Sequence, residues 1–125
     1  MEENKLITLV ERLSSKSMKG ELDWEQTDKE DEFQLSLPKY TIRIFSKPSS
    51  EAFADIDIFI AIYNGDGTLI EQTVDYELKD SINSSYQVFK GIYNNARRKA
   101  MGVDKALDDI LNSLGDDDDD EKLPF

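Results

Sequence analysis

The sequence contains no cysteine and no histidine, and only three prolines and one tryptophan among 125 residues. Without cysteine there is no disulfide framework and no thiol nucleophile, which agrees with a reducing cytoplasm. Without histidine the usual general base at neutral pH is gone. With both missing, so are the commonest transition-metal ligands. No apolar run approaches the ~20 residues that a membrane-spanning helix needs. The opening MEENKLITLV is acidic and lacks the charged-then-apolar pattern of a secretory leader. Positive charge is the scarce sign: 15 Lys and Arg stand against 27 Asp and Glu, a formal charge of −12. That balance works against long-range attraction to duplex DNA or to an anionic membrane. The expectation is a soluble, cytoplasmic, non-enzymatic protein with no metal, no cofactor and no membrane contact.

What is present suffices for one core. Hydrophobic residues make up 38% and aromatics 10% of the chain, and this length fits a single domain. The negative charge is uneven, −5 over residues 116–125 and −7 over the remaining 115. Residues 1–115 therefore read as one folded domain. Residues 116–125 read as a disordered acidic tail, because adjacent aspartates repel one another and stay solvated.

Apolar periodicity orders the elements. Leu6, Leu9, Val10 and Leu13 recur at helical spacing, predicting a helix over about residues 3–16. From Gly20 the period becomes two: Leu22 and Trp24, then Phe33, Leu35 and Leu37, then Tyr40, Ile42 and Ile44, then Ile56, Ile58, Ile60 and Ile62, and finally LIEQTVDY. These predict five short strands within about residues 20–76. NGDGT supplies the Asn-Gly and Asp-Gly pairs that tight hairpins favour. Ile82, Tyr86, Phe89, Tyr93, Ala96 and Ala100 then form a stripe predicting a helix over about 80–101. Leu107, Ile110, Leu111 and Leu114 predict another over about 104–114, with Asp104 as its cap. The fold class is α+β: an antiparallel five-stranded meander with an N-terminal helix and two C-terminal helices.

Carboxylates are the remaining catalytic groups. Asp55 and Asp57 share a strand face, but no third ligand is placed beside them by spacing, so they read as the wet side of a strand. In NGDGT, setting Asn64, Asp66 and Gly67 on the third, fifth and sixth positions of a calcium loop puts Ile62 at the first ligand and Thr73 at the twelfth. Both are wrong for calcium, and the segment reads as a turn.

The last ten residues, DDDDDEKLPF, set an apolar triplet behind an acidic run. Pro124 fixes one φ angle and lowers the ordering cost of binding. The Phe125 ring suits an apolar pocket with a basic rim, where its α-carboxylate can meet a cation. The stretch resembles the C-terminal tip of bacterial single-stranded-DNA-binding proteins, which docks replication, recombination and repair enzymes. The resemblance implies Phe125 as anchor, Pro124 and Leu123 as flanking contacts, and Asp116, Asp117, Asp118, Asp119 and Asp120 as the electrostatic part. Glu121 and Lys122 depart from that pattern, with a cation where the family tip is acidic. The body carries no comparable family signature.

In KYTIRIFSKP, Lys39, Thr41, Arg43, Phe45 and Lys47 alternate with Tyr40, Ile42 and Ile44. Cations interleaved with a ring on an open sheet face suit single-stranded nucleic acid. Trp24 belongs either with that face or with the core. Lys90, Arg97, Arg98 and Lys99 complement a helix C-terminus. Tyr86, Phe89 and Tyr93 read as core or as a homodimer surface. The combined expectation is a genome-maintenance accessory of the kind a phage or mobile element encodes, its tip docking on DNA-processing enzymes, with or without single-stranded DNA on the sheet. The alternative is an acidic DNA mimic or protein-binding inhibitor whose tail only solubilises it.

Overall fold

Every second residue of a strand points to the same side, and in this chain that rule separates isoleucine from charge. The computed structural model describes residues 2–49 and 55–115. Within them β1 (Glu25–Gln26), β2 (Glu32–Ser36), β3 (Tyr40–Pro48), β4 (Ile56–Asn64) and β5 (Leu69–Val74) form one antiparallel sheet in the order β1-β2-β3-β4-β5. α1 (Glu2–Met18) precedes the sheet. A 3₁₀ turn (Asp75–Leu78), α2 (Ser85–Met101) and α3 (Val103–Leu114) follow it. The predicted α+β meander is the observed one.

Register builds the core. It sets Phe33 opposite Ile44, Leu35 opposite Ile42, and Ile44 opposite Ile60, all on one face with Ile58. These side chains are buried against Phe89, Ile92, Tyr93 and Ala96 of α2. α1 packs on α2 and adds Val10 and Leu13 to the same cluster. Each large side chain buried this way contributes about 1.5–3 kcal/mol. The Phe33 and Tyr93 rings meet at 5.6 Å and 59°, a tilted geometry that aromatic pairs prefer to a face-on sandwich. Ser46 Oγ donates to the Tyr93 hydroxyl at 3.4 Å, giving its polar end a partner beside the sheet.

Several local expectations change. The first strand is only Glu25–Gln26, and Leu22 and Trp24 precede it. Trp24 is 3% exposed and belongs to the core. Its Nε1–H donates to Ser17 Oγ at 3.2 Å, which satisfies the indole's one donor with a buried hydroxyl of the last turn of α1. The helix expected from about residue 80 begins at Ser85. Ile82 is buried all the same, held in the turn that follows Leu78. The stripe missed Ile92, which is fully buried.

Asp104 does not cap α3. Gly102, at φ +66°, ends α2 and starts α3 in a single left-handed step, with Ala106 N–H donating to its carbonyl at 2.9 Å. Asp104 instead accepts from Arg98 Nη2 at 2.9 Å. NGDGT is a turn, as expected. Asn64 Oδ1 accepts from the amides of Asp66 and Thr68 at 2.9 and 3.0 Å. Of its two glycines only Gly67 takes positive φ, +83°. Among the described residues no helix is long and apolar enough to cross a membrane.

Candidate functional site

The face of the sheet opposite the core holds the cation-and-ring strip that the alternation of β3 predicts. Thr41, Arg43, Phe45 and Lys47 stand opposite Tyr63, Ala61, Phe59 and Asp57 of β4. On the other flank, Glu32 and Gln34 of β2 lie opposite Phe45 and Arg43. The Phe45 and Phe59 rings stack at 5.1 Å with only 4° between their planes. Lys47 Nζ sits 5.6 and 5.4 Å from the two ring centres. The Arg43 guanidinium lies 5.1 Å over the Tyr63 ring, and its Nη1 donates to Glu32 Oε2 at 3.1 Å. Lys39 lies in the Leu37–Tyr40 turn rather than in the strand, but lines one shallow depression with Gln34, Arg43 and Tyr63. Phe45, Lys47, Glu32 and Tyr63 line the neighbouring one.

Four of the five residues expected to contact nucleic acid, Lys39, Arg43, Phe45 and Lys47, therefore share one surface. Trp24 does not: it is on the opposite, helix-covered side. The sequence reading missed Phe59 and Tyr63, although they alternate with Ile58, Ile60 and Ile62 and the period of two would have found them. It also missed the counter-ion. Glu32 is buried and paired with Arg43, and Asp57, expected on a wet face, is 7% exposed opposite Lys47. Arg43 is thus paired with one carboxylate, and Lys47 stands opposite another. Rings that elsewhere stack on bases here stack on each other under an ammonium.

Asp55 lies just before β4, so the two aspartates do not form a strand-face pair. Asp57's neighbour is instead Asp75, a buried carboxylate the sequence reading did not single out. Asp75 Oδ1 accepts the Ile58 amide at 3.0 Å, extending the β4–β5 ladder with a side chain. Ser85 Oγ donates to the Asp75 carbonyl at 2.8 Å, tying the start of α2 to the same point. Burial raises the Asp75 pKa above the ordinary aspartate value, and the Asp57 charge pushes the same way. The Ile58 amide and its own backbone N–H oppose them. This is a structural joint, and among the described residues no group of three or more Asp, Glu, His or Cys is arranged to hold a metal.

The remaining feature is α3. It has no buried residue. Leu107, Ile110, Leu111 and Leu114, its predicted inward stripe, are 45, 52, 61 and 65% exposed. The helix touches α2 near the Gly102 step, and the acidic run starts directly after Gly115. Asp116 to Asp120, Leu123, Pro124 and Phe125 lie outside the described residues. Of the basic cluster, Arg98 pairs with Asp104, Lys99 lies 3.8 Å from Asp23, and Lys90 covers the Tyr86 ring at 5.7 Å. Phe89 and Tyr93 are core, and Tyr86 is half-buried beside them. The chain matches no protein family, no curated protein and no solved structure.

Proposed function

We propose that this chain is a non-enzymatic adaptor whose segment 116–125 docks onto DNA-processing enzymes that also recognise single-stranded-DNA-binding protein. One observation carries the reading. Five aspartates, then Glu121 and Lys122, then Leu123, Pro124 and Phe125 combine long-range attraction to a basic surface with a short apolar anchor, resembling the docking tip of that family except at Lys122. The aspartates speed encounter and make binding salt-sensitive, while the ring supplies affinity. Partners are enzymes with an apolar pocket rimmed by lysine or arginine.

The test is displacement. A fluorescent tip peptide of single-stranded-DNA-binding protein is bound to a purified bacterial repair enzyme that recognises it, and the chain is titrated in. Intact chain displaces the peptide. F125A does so roughly thirtyfold less well, matching a hot-spot loss of about 2 kcal/mol. Equal displacement by both, or none by either, sinks the reading. Indifference to removal of residues 123–125, together with binding in a basic DNA channel, would favour the acidic DNA mimic instead.

A second reading is favoured by the strip of Arg43, Phe45, Lys47, Phe59 and Tyr63, with Lys39 at its end: the sheet holds single-stranded DNA. Mobility shifts with oligo-dT at low and high salt test it. Trp24, buried on the far side, is not the reporter. Absence of a shift at low salt removes this reading and leaves the adaptor.

A further inference from the structure

α2 and α3 carry the same kind of apolar stripe, and only the stripe of α2 is covered. Leu107, Ile110, Leu111 and Leu114 are all at least 45% exposed. They occupy one side of a 12-residue helix whose other side carries Asp108 and Asp109 with Lys105, while Asp104, seven residues before Leu111, borders the stripe. Lys105 is already engaged, its Nζ 3.0 Å from Asp109 Oδ2. Past Leu114 and Gly115 the next five residues are aspartate. An apolar stripe with acidic flanks that runs straight into an acidic segment is complementary to an apolar groove bordered by lysine and arginine.

A second copy fits poorly. It would bring another chain of charge −12 against the acidic helix. A helix about 18 Å long and about 10 Å wide falls short of the roughly 800 Å² per partner that a stable interface buries. The chain's own tail fits no better, since its aspartates would have to lie along Asp104, Asp108 and Asp109. From Leu114 to Leu123 the chain can extend about 30 Å, enough for helix and tip to occupy neighbouring sites on one protein.

We infer that α3 and residues 116–125 form one two-part ligand. The helix seats its leucine–isoleucine stripe in a basic-rimmed groove of the same enzyme that takes Leu123, Pro124 and Phe125 in its pocket. The inference rests on the docking reading above and extends it. Tethering makes the second contact intramolecular, so the whole chain binds tighter than its last ten residues alone.

The test measures affinity for the purified repair enzyme of four probes: the synthetic peptide DDDDDEKLPF, intact chain, L107A/L111A, and F125A. Alanine preserves helix propensity, and far-ultraviolet circular dichroism checks that the double variant stays folded. Intact chain is expected to bind roughly a hundredfold tighter than the peptide, with L107A/L111A falling back to the peptide's level. If intact chain and L107A/L111A both bind like the peptide, the helix contact is refuted and the tip reading stands. If the peptide fails to bind and F125A matches intact chain, the tip reading fails; loss in L107A/L111A alone would then leave only a helix ligand. Intact chain binding more weakly than the peptide means the tail covers its own helix and overturns the inference. So does a wild-type dimer in sedimentation that L107A/L111A abolishes, which would assign the stripe to a second copy.

Discussion

α2 and α3 differ by one glycine step and by everything that covers them. Both repeat apolar residues at helical spacing, and the two helices meet at Gly102. In α2 the stripe of Phe89, Ile92, Tyr93 and Ala96 is sealed between sheet and α1. In α3 the equivalent stripe faces outward. Periodicity states that a helix has an apolar side; it says nothing about whether the covering surface belongs to the same chain. The comparison teaches that one and the same periodic signal can mark a face this fold buries or a face it leaves exposed.

The largest expected break is in α2. F89A removes a fully buried ring and should destabilise the protein by about 3–5 kcal/mol, read as a lower midpoint in urea unfolding. Next is the step between the helices. Gly102 has open space where a Cβ would sit, so G102A should cost only the left-handed backbone, about 1–2 kcal/mol. A larger loss would mean that α3 packs where it is shown exposed.

Asp75, at the far end of α2, gives a smaller effect of opposite sign. Its folded-state pKa is raised, so between the ordinary and the raised value the folded chain holds more protons than the unfolded one. Stability therefore falls as pH rises through that window. D75N keeps an oxygen for the Ile58 amide and removes the buried charge. It should raise the melting temperature at pH 7 and flatten the slope, with little gain below pH ~4. A lower melting temperature at pH 7 would contradict this. Smallest is L107A/L111A, expected to change stability within about 0.5 kcal/mol. A loss comparable to F89A would show that α3 is part of the core after all and erase the contrast.

The sheet was legible because each strand couples period two to isoleucine on a single side, as in Ile58, Ile60 and Ile62. The outer strip was half legible. Arg43, Phe45 and Lys47 follow from alternation within β3, with Lys39 in the turn before it, whereas Glu32 and Asp57, which stand beside Arg43 and Lys47, become neighbours only through register between strands. Trp24 was ambiguous for a related reason. Two alternating residues, Leu22 and Trp24, mimic a strand, and only the buried Ser17 hydroxyl, seven residues earlier on α1, explains its place in the core. Asp104 looked like a cap because aspartate is a favoured N-cap residue; Gly102 occupies the N-cap position instead, which leaves Asp104 as the second residue inside the helix. Asp75 gave no signal, since nothing local distinguishes a carboxylate that finishes a β-ladder from one that points to water.

The central claim, that the chain from α3 onward is a ligand and the rest is its scaffold, is tested most directly by nuclear magnetic resonance. Isotope-labelled intact chain is titrated with the unlabelled repair enzyme, and amide signals are followed residue by residue. The account predicts that signals from Leu107 to Phe125 broaden or shift first, while those of Phe33, Ile44, Ile60 and Ile92 keep their positions. Perturbation centred on Arg43, Phe45, Phe59 and Tyr63, with residues 107–125 unchanged, would contradict it.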